Sequence, residues 1–335
     1  MADWEAPANL DPLHAATAAE LRISSLLFAP LWGRDPEMRP YPDLVREVPT
    51  VDNGDLRLAA DGSSMTVLVK LLPGLRWSDG EPLTADDVIF TVGAICAPAH
   101  GARDATGFDR ITAQERHSST ELLWRFGPRG AGDCNLAADV ASGVYPAIAQ
   151  LGPRARIMPR HRLAGTPPGD WPAAPFFLHP DAASGPFAFR SRVGDALIDL
   201  VANPHFADGR SRPGGYAAAA VRFDHAPHLD AITYRFNNSR ASLIAGLRAG
   251  ESELGFHLAP EDEVELSGSP GSQTIFATTL QGEFLSPNHG VNSETHRPPP
   301  WVDDQPVLEA LRLALDRHAM NSVAFGGRAT IARGL

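Results

Sequence analysis

The sequence is poor in the features that mark several classes of protein. Lys and Arg total 29 against 40 Asp and Glu, which gives a formal net charge of -11 over 335 residues. Because a net negative chain repels a phosphate backbone, we expect no nucleic-acid partner. The apolar stretches are interrupted by charged residues or proline before the roughly 20 residues that a membrane-spanning helix needs. We therefore expect no membrane span.

Cysteine is scarce, and a secretory signal is missing from this sequence. Cys96 and Cys134 are the two cysteines. They fit one disulfide in a secreted protein or two buried thiols, because spacing alone does not position their Cβ atoms. The N-terminus has neither the basic region nor the apolar region of a signal peptide. Either a signal was removed or the chain is not exported.

Catalytic signatures are also absent. The sequence has no glycine-rich dinucleotide loop, Walker loop, His-Glu-x-x-His, Cys-x-x-Cys or Gly-x-Ser-x-Gly motif. The 12 histidines are scattered. We therefore predict that the protein is not an enzyme and has no catalytic residues, metal site or cofactor, with a metal-dependent hydrolase as the enzyme alternative.

What is present predicts a globular α/β chain. Its length and 43% apolar composition suffice for two or more domains. A helix is predicted within residues 15–32, and Thr84 is expected to cap a second helix whose first turn carries Asp86 and Asp87. β-branched and apolar clusters predict strands at 65–72, 122–126, 185–190, 196–201 and 232–236.

Two further helices are predicted towards the C-terminus. Ser239 is expected to cap a helix that contains Leu243 and Ile244. The last helix is expected to begin after residues 303–304 and to stop at 326–327. Its predicted buried stripe consists of Val307, Ala310, Leu311, Ala314 and Leu315.

Tryptophan offers candidates for a ligand site, because pockets for small solutes are lined by aromatic side chains and a few polar groups. Of the six tryptophans, Trp32 and Trp301 are the candidates for ligand contact. Ordinary packing between domains is the alternative role for each of them.

Several motifs in a fixed order resemble the family 5 extracellular solute-binding proteins, which include dipeptide, oligopeptide and nickel binders. The most specific is Leu-Arg-Trp-Ser-Asp-Gly-Glu-Pro-Leu-Thr-Ala-Asp-Asp-Val-Ile-Phe at residues 75–90. Shorter matches follow at 157–161, 184–187, 203–206, 229–236, 247–254, 284–288, 310–317 and 325–329. Such an ordered set across nearly the whole chain is hard to obtain by chance.

The resemblance implies a periplasmic-binding-protein type II clamshell with an extra subdomain in the first lobe. Lobe I would comprise residues 1–41 and 177–258, the inserted subdomain residues 42–176, and lobe II would begin at residue 259. Family members usually continue well beyond residue 329, so the second lobe is expected to be incomplete here. The lobes of the family close on the ligand, and the transporter recognises the closed form.

The resemblance also suggests ligand contacts. The backbone of Ala16, Thr17 and Ala18 corresponds to a cleft edge that pairs with an extended ligand, and its amides and carbonyls are expected to be free. An ordinary helix N-terminus is the alternative. Residues 290–297 look inserted, which leaves open whether Asn288 or Asn292 takes the family's asparagine position.

The function implied is the substrate-binding component of an ABC importer, which captures a peptide or similar small solute for a membrane permease. A monomer in the periplasm or outside the cell is expected, with a membrane anchor an open possibility for the full-length form. The alternatives are a ligand-sensing or regulatory module on the same fold, and capture of nickel or haem.

Overall fold

The computed structural model describes residues 1–331 with gaps at 36, 38, 98, 128–144, 146, 209, 211–226, 260, 267–272, 276–300 and 303. The chain divides into two compact units, Met1–Asn238 and Ser239–Leu335. Helices and strands both occur, so the predicted α/β composition is confirmed.

The first unit contains the described strands. They are β1 (Ala2–Asp3), β2 (Trp32–Arg34), β3 (Pro40–Pro42), β4 (Leu56–Leu58), β5 (Met65–Lys70), β6 (Ile111–Arg116), β7 (Glu121–Phe126), β8 (Phe187–Val193), β9 (Leu197–Ala202) and β10 (Ala231–Phe236). The predicted strands at 65–72, 122–126, 185–190, 196–201 and 232–236 are confirmed as β5, β7, β8, β9 and β10.

The first sheet has the strand order β1-β10-β9-β8. Strand β1 runs parallel to β10, and the other neighbours are antiparallel. Alternate residues of the two central strands are buried, among them Ile198, Leu200, Ile232 and Tyr234. This period of two is the pattern of strands that have one face in the core. The sheet therefore brings the N-terminus of the chain beside residues 231–236.

The second sheet has the order β4-β5-β7-β6, with all pairs antiparallel. In β5, the side chains of Met65, Val67 and Val69 are buried, and the residues between them are partly exposed. Strand β5 thus buries one face, as the alternation of its side chains requires. A separate antiparallel hairpin pairs β2 with β3.

The helices of the first unit are α1 (Ala18–Leu27), α2 (Ala85–Cys96), α3 (Ile148–Arg154) and α4 (Arg160–Leu163). Short 3-10 turns lie at Phe108–Arg110, Pro168–Ala173 and Pro175–Phe177. Helix α2 confirms the predicted cap. The Thr84 side chain accepts from the first turn, and the carboxylate of Asp87 accepts from the Thr84 amide.

The second unit contains α5 (Arg240–Arg248), α6 (Asp262–Leu266), α7 (Gln305–Ala314) and α8 (Arg317–Phe325). The N-cap of α5 is Ser239, as predicted. The single last helix was wrong, because the chain breaks between α7 and α8. The side chain of Asp316 accepts from the amides of His318 and Ala319 and so starts a new helix.

The predicted buried stripe of the last helix was also wrong. Neither α7 nor α8 buries a residue, and the side chains of Leu311, Leu313, Met320 and Val323 are exposed. A helical spacing of apolar residues predicts which face would pack, but it does not supply the partner that covers this face.

Two other sequence expectations have outcomes here. No helix among the described residues has the length and apolar character that crossing a membrane requires. Cys96 is buried and disulfide-bonded. Cys134, the other cysteine of the sequence, lies outside the described residues.

Candidate functional site

A half-buried arginine, Arg156, lies where three segments of the first unit meet. It follows α3 and forms an isolated antiparallel bridge with Pro30, while the amide of Ile157 donates to the Ala29 carbonyl over 3.1 Å. These backbone contacts fix residue 156 beside the segment that follows α1. The side chain of Arg156 therefore starts from a rigid position next to Phe28.

The guanidinium of Arg156 has few partners for a charged group in such surroundings. Its Nη1 donates to the Phe28 carbonyl oxygen over 3.3 Å. Burial lowers the pKa of Arg156, and the charge of Asp43 and the hydroxyl of Tyr41 act in the opposite direction. A guanidinium stays protonated in proteins even so. Among the described residues, no carboxylate lies within ion-pair distance of this cation.

The neighbouring arginine, Arg210, is much better accommodated. Its Nε donates to Oδ1 of Asp43 over 3.2 Å, its Nη1 to the Phe206 carbonyl over 2.7 Å, and its Nη2 to the Ser184 carbonyl over 2.9 Å. The guanidinium carbon also lies 4.4 Å from the centre of the Phe206 ring. Asp43 is thus the ion-pair partner of Arg210, and its influence on Arg156 acts over a longer range.

Tyr41 completes the described surroundings of Arg156. It belongs to β3, and its ring lies flat against Gly33 of β2, where an added Cβ would come within 2.4 Å of the tyrosine hydroxyl oxygen. Burial raises the pKa of Tyr41, and the charge of Asp43 raises it further. The hydroxyl therefore remains protonated at neutral pH and can donate a hydrogen bond.

Together these side chains form a cationic site in an acidic chain. Two guanidinium groups surround the one carboxylate of Asp43, so the described charges leave an excess of one positive charge. Neither an arginine nor a protonated tyrosine is a nucleophile or a general base at neutral pH. The arrangement is suited to holding an anionic group by charge and hydrogen bonds.

The predicted cleft-edge residues lie at the N-terminus of α1. Thr17 is the N-cap, and Ala18 is the first helical residue. The amides of Ala16 and Thr17 were expected to be free, and this was wrong. They donate to Oε2 of Glu20 over 2.6 and 3.0 Å, because Thr17 and Glu20 form a capping box. Ligand contact at these residues stays a prediction.

Trp32 has no solvent-exposed surface. Its indole Nε1 donates to the Ala149 carbonyl over 3.1 Å, and its ring covers Gly152, where an added Cβ would lie 2.4 Å away. The side chain therefore packs β2 against α3. Its predicted role in ligand contact stays a prediction, and these contacts are those of the packing alternative.

The other two predicted residues belong to the C-terminal part of the chain. The side chain of Trp301 is 40% exposed, and its carbonyl accepts from the amide of Asp304. Asn288 and its alternative Asn292 lie outside the described residues. The structure does not bring Trp301 together with the other predicted residues inside the first unit.

Sequence reasoning missed Arg156. In the sequence it stands between Ala155 and Ile157, directly before the matched motif at 157–161. An arginine in an apolar run next to a family motif was the available signal. Its nearness to Phe28, Tyr41 and Asp43 depends on contacts across more than 100 positions of the chain, which spacing cannot reveal.

Comparison with known families gives one clear match. The family model for bacterial extracellular solute-binding proteins, family 5 Middle, matches residues 56–335. Over 326 residues the chain is 23% identical to the oligopeptide-binding protein AppA of Bacillus subtilis, covering 97% of this chain and 51% of AppA. It is 25% identical over 330 residues to the glutathione-binding protein GsiB of Escherichia coli K12, covering 98% of this chain and 54% of GsiB. The chain spans about half the length of the curated relatives it matches.

Solved structures show the same fold. The structure of AppA from Bacillus subtilis with a nonapeptide superposes with a TM-score of 0.62 at 20% identity, covering 80% of this chain and 45% of that one. NikZ from Campylobacter jejuni with Ni(L-His) superposes with a TM-score of 0.58 at 17% identity, covering 80% of this chain and 45% of that one. The fold class predicted from the motifs, a type II periplasmic-binding protein, is confirmed for the matched part of the chain.

Proposed function

Because the chain belongs to the bacterial extracellular solute-binding proteins of family 5, we propose that it captures a peptide or similar small solute for an ABC importer. The observation that carries the proposal is the continuous family match over residues 56–335. The printed names of two relatives, an oligopeptide-binding and a glutathione-binding protein, support a peptide as the solute. The protein acts by binding and release and has no catalytic step.

The proposal includes the setting in which the protein works. Its partners are the permease subunits of the importer, and it acts as a monomer in the periplasm or outside the cell. The disulfide bond of Cys96 supports this location, because disulfides persist in oxidising compartments. Residues 1–41 and 177–258 form lobe I, residues 42–176 the inserted subdomain, and lobe II begins at 259.

Ligand-dependent thermal unfolding tests the proposal. This chain and the complete product of its gene are heated with a library of di- to pentapeptides, and in parallel with Ni(II) and haem. A ligand that binds only the folded state at 100 times its Kd adds about 2.7 kcal/mol to the free energy of unfolding. We expect peptides to raise the midpoint of the complete product. Shifts with Ni(II) or haem alone would replace the peptide, and no shift with any of them would contradict solute capture.

A further inference from the structure

We propose that Arg156 anchors a carboxylate group of the captured solute. The inference deepens the proposed function, on which it rests, by naming the chemical class of the ligand. It also assigns the cationic site around Asp43 to ligand recognition, and it identifies Arg156 as the residue that makes the contact.

The first argument is the contrast between the two arginines. Arg210 has an ion pair with Asp43, two carbonyl acceptors and an aromatic face. Arg156 has the Phe28 carbonyl at 3.3 Å. Arg210 is therefore fixed by the protein itself, whereas Arg156 keeps most of its five N–H donors for another acceptor. Its Nε and Nη2 have no acceptor among the described residues.

The second argument is the cost of the arrangement. A charge that is withdrawn from water without an ion partner destabilises the folded protein. Burial is the largest influence on the pKa of Arg156 and lowers it. An anion that arrives from outside would supply the missing partner. Strain of this kind is retained where it serves binding.

The third argument concerns the charge and shape of the anion. The described charges leave an excess of one positive charge around Asp43. A carboxylate neutralises that excess, while a doubly charged phosphate would reverse it. A guanidinium also presents two parallel N–H groups, which match the two oxygens of a carboxylate. We therefore assign a carboxylate in preference to a phosphate.

The test compares variants of the complete gene product against two peptide libraries. One library has free carboxyl groups, and the other is the same library with every carboxyl group converted to its methyl ester. We expect the free-acid library to bind, the esterified library to fail, and Arg156→Gln to weaken the binding of free acids by at least about tenfold. Arg156→Lys, which keeps the charge but loses the fork, should fall between them.

The matched control is Arg57→Gln, which removes the same charge from an exposed position in β4. It should bind like the wild type. If Arg156→Gln binds free acids as tightly as Arg57→Gln does, or if the esterified library binds equally well, the assignment is wrong while solute capture stands. A midpoint shift with inorganic phosphate that Arg156→Gln removes would overturn the choice of carboxylate.

A ligand-free measurement separates this inference from the proposed function. Arg156→Met removes the charge and keeps most of the side-chain volume. If the arginine serves a ligand, the variant should unfold at the wild-type temperature or above it. A clearly lower midpoint would show that Arg156 is structural and would overturn the inference. If neither library binds, peptide capture fails, and this measurement alone decides the role of Arg156.

Discussion

His14 lies 2.6 Å from Asp11, its Nδ1 facing Oδ2 of a carboxylate that has no solvent-exposed surface. On the other side of the ring, Nε2 lies 2.6 Å from the carbonyl oxygen of His100. A carboxylate and a carbonyl both accept hydrogen bonds. Both ring nitrogens therefore carry protons, and His14 is a cation in the folded protein.

The charge of His14 predicts how stability depends on alkaline pH. Burial lowers its pKa, but the hydrogen bond and charge of Asp11, with the His100 carbonyl, raise it above the model value of 6.5. A raised pKa gives stability that is present below the unfolded value and lost as pH rises through the folded value. The midpoint of thermal unfolding should fall between about pH 6 and about pH 9, and His14→Gln should flatten that decline. An identical slope in wild type and variant would contradict the charged state.

The neighbouring histidine predicts the opposite behaviour in acid. His100 is buried, its ring centre lies 4.5 Å from that of His14 and 4.9 Å from that of Trp171, and its ring nitrogens have no hydrogen-bond partner among the described residues. Burial, together with the charge of His14, lowers the pKa of His100 to about 4. The imidazole is therefore neutral in the folded protein.

A depressed pKa means that stability is complete above the unfolded value and is lost as pH falls towards the folded one. The wild type should lose stability between about pH 6.5 and about pH 4. His100→Leu should lose less over that interval, which denaturant unfolding at several pH values would show. His228→Leu is the control, because it removes a histidine from a partly exposed position. Equal acid sensitivity in wild type and His100→Leu would refute the prediction.

The structure shows which parts of the fold were accessible to sequence reasoning. Caps were, because Thr84 and Asp87 satisfy each other's backbone over three residues. The same signature, Thr17 and Glu20, stood in the sequence and predicts the capping of α1, yet these amides were assigned to a ligand. Local chemistry deserved more weight there. The break at Asp316 is likewise a local cap within an apolar pattern that suggested one helix.

Long-range proximity was not accessible. The cationic site joins residues 41–43 to residues 156 and 210, and the cluster of histidines joins residue 14 to residue 100. Nothing in hydrophobic periodicity relates these positions, since each pair depends on how the segments of the first unit pack. Arg156 and Arg210 look alike in sequence, and the difference in their partners emerges only in the folded chain.

Glu20 gives a prediction about the N-terminal segment. Its carboxylate accepts from the amides of Ala8, Ala16 and Thr17. Glu20→Gln keeps the size of the side chain but replaces one carboxylate oxygen by an amide group that cannot accept. We expect a loss of about 1–2 kcal/mol in the free energy of unfolding by denaturant titration.

The control for Glu20 is Glu253→Gln, because Glu253 is exposed and makes no hydrogen bond recorded among the described residues. It should change stability by less than about 0.5 kcal/mol. Equal effects of the two substitutions would show that the capping network contributes little. If Ala16 and Thr17 bind the ligand through their amides, the weakened cap in Glu20→Gln should instead increase peptide affinity.

The final prediction concerns Gly185, in the matched motif at 184–187. The carbonyl of Leu27 accepts from the amides of Ser184 and Gly185 over 2.9 and 2.8 Å, so the motif is held against the C-terminal end of α1. A Cβ at residue 185 would lie 2.3 Å from the carbonyl oxygen of Leu26. Because that atom belongs to the backbone, it cannot rotate away as a flexible side chain could.

Gly185→Ala should therefore cost about 2–4 kcal/mol in the free energy of unfolding. Gly165→Ala is the matched control, because an added Cβ at that position would meet no atom within 4 Å and its φ is not in the left-handed region. The control should be neutral or slightly stabilising, since alanine restricts the unfolded chain. Circular dichroism during urea titration measures both. A loss below about 1 kcal/mol for Gly185→Ala would mean that the backbone at the end of α1 can shift, and that the glycine of this motif serves some purpose other than close packing.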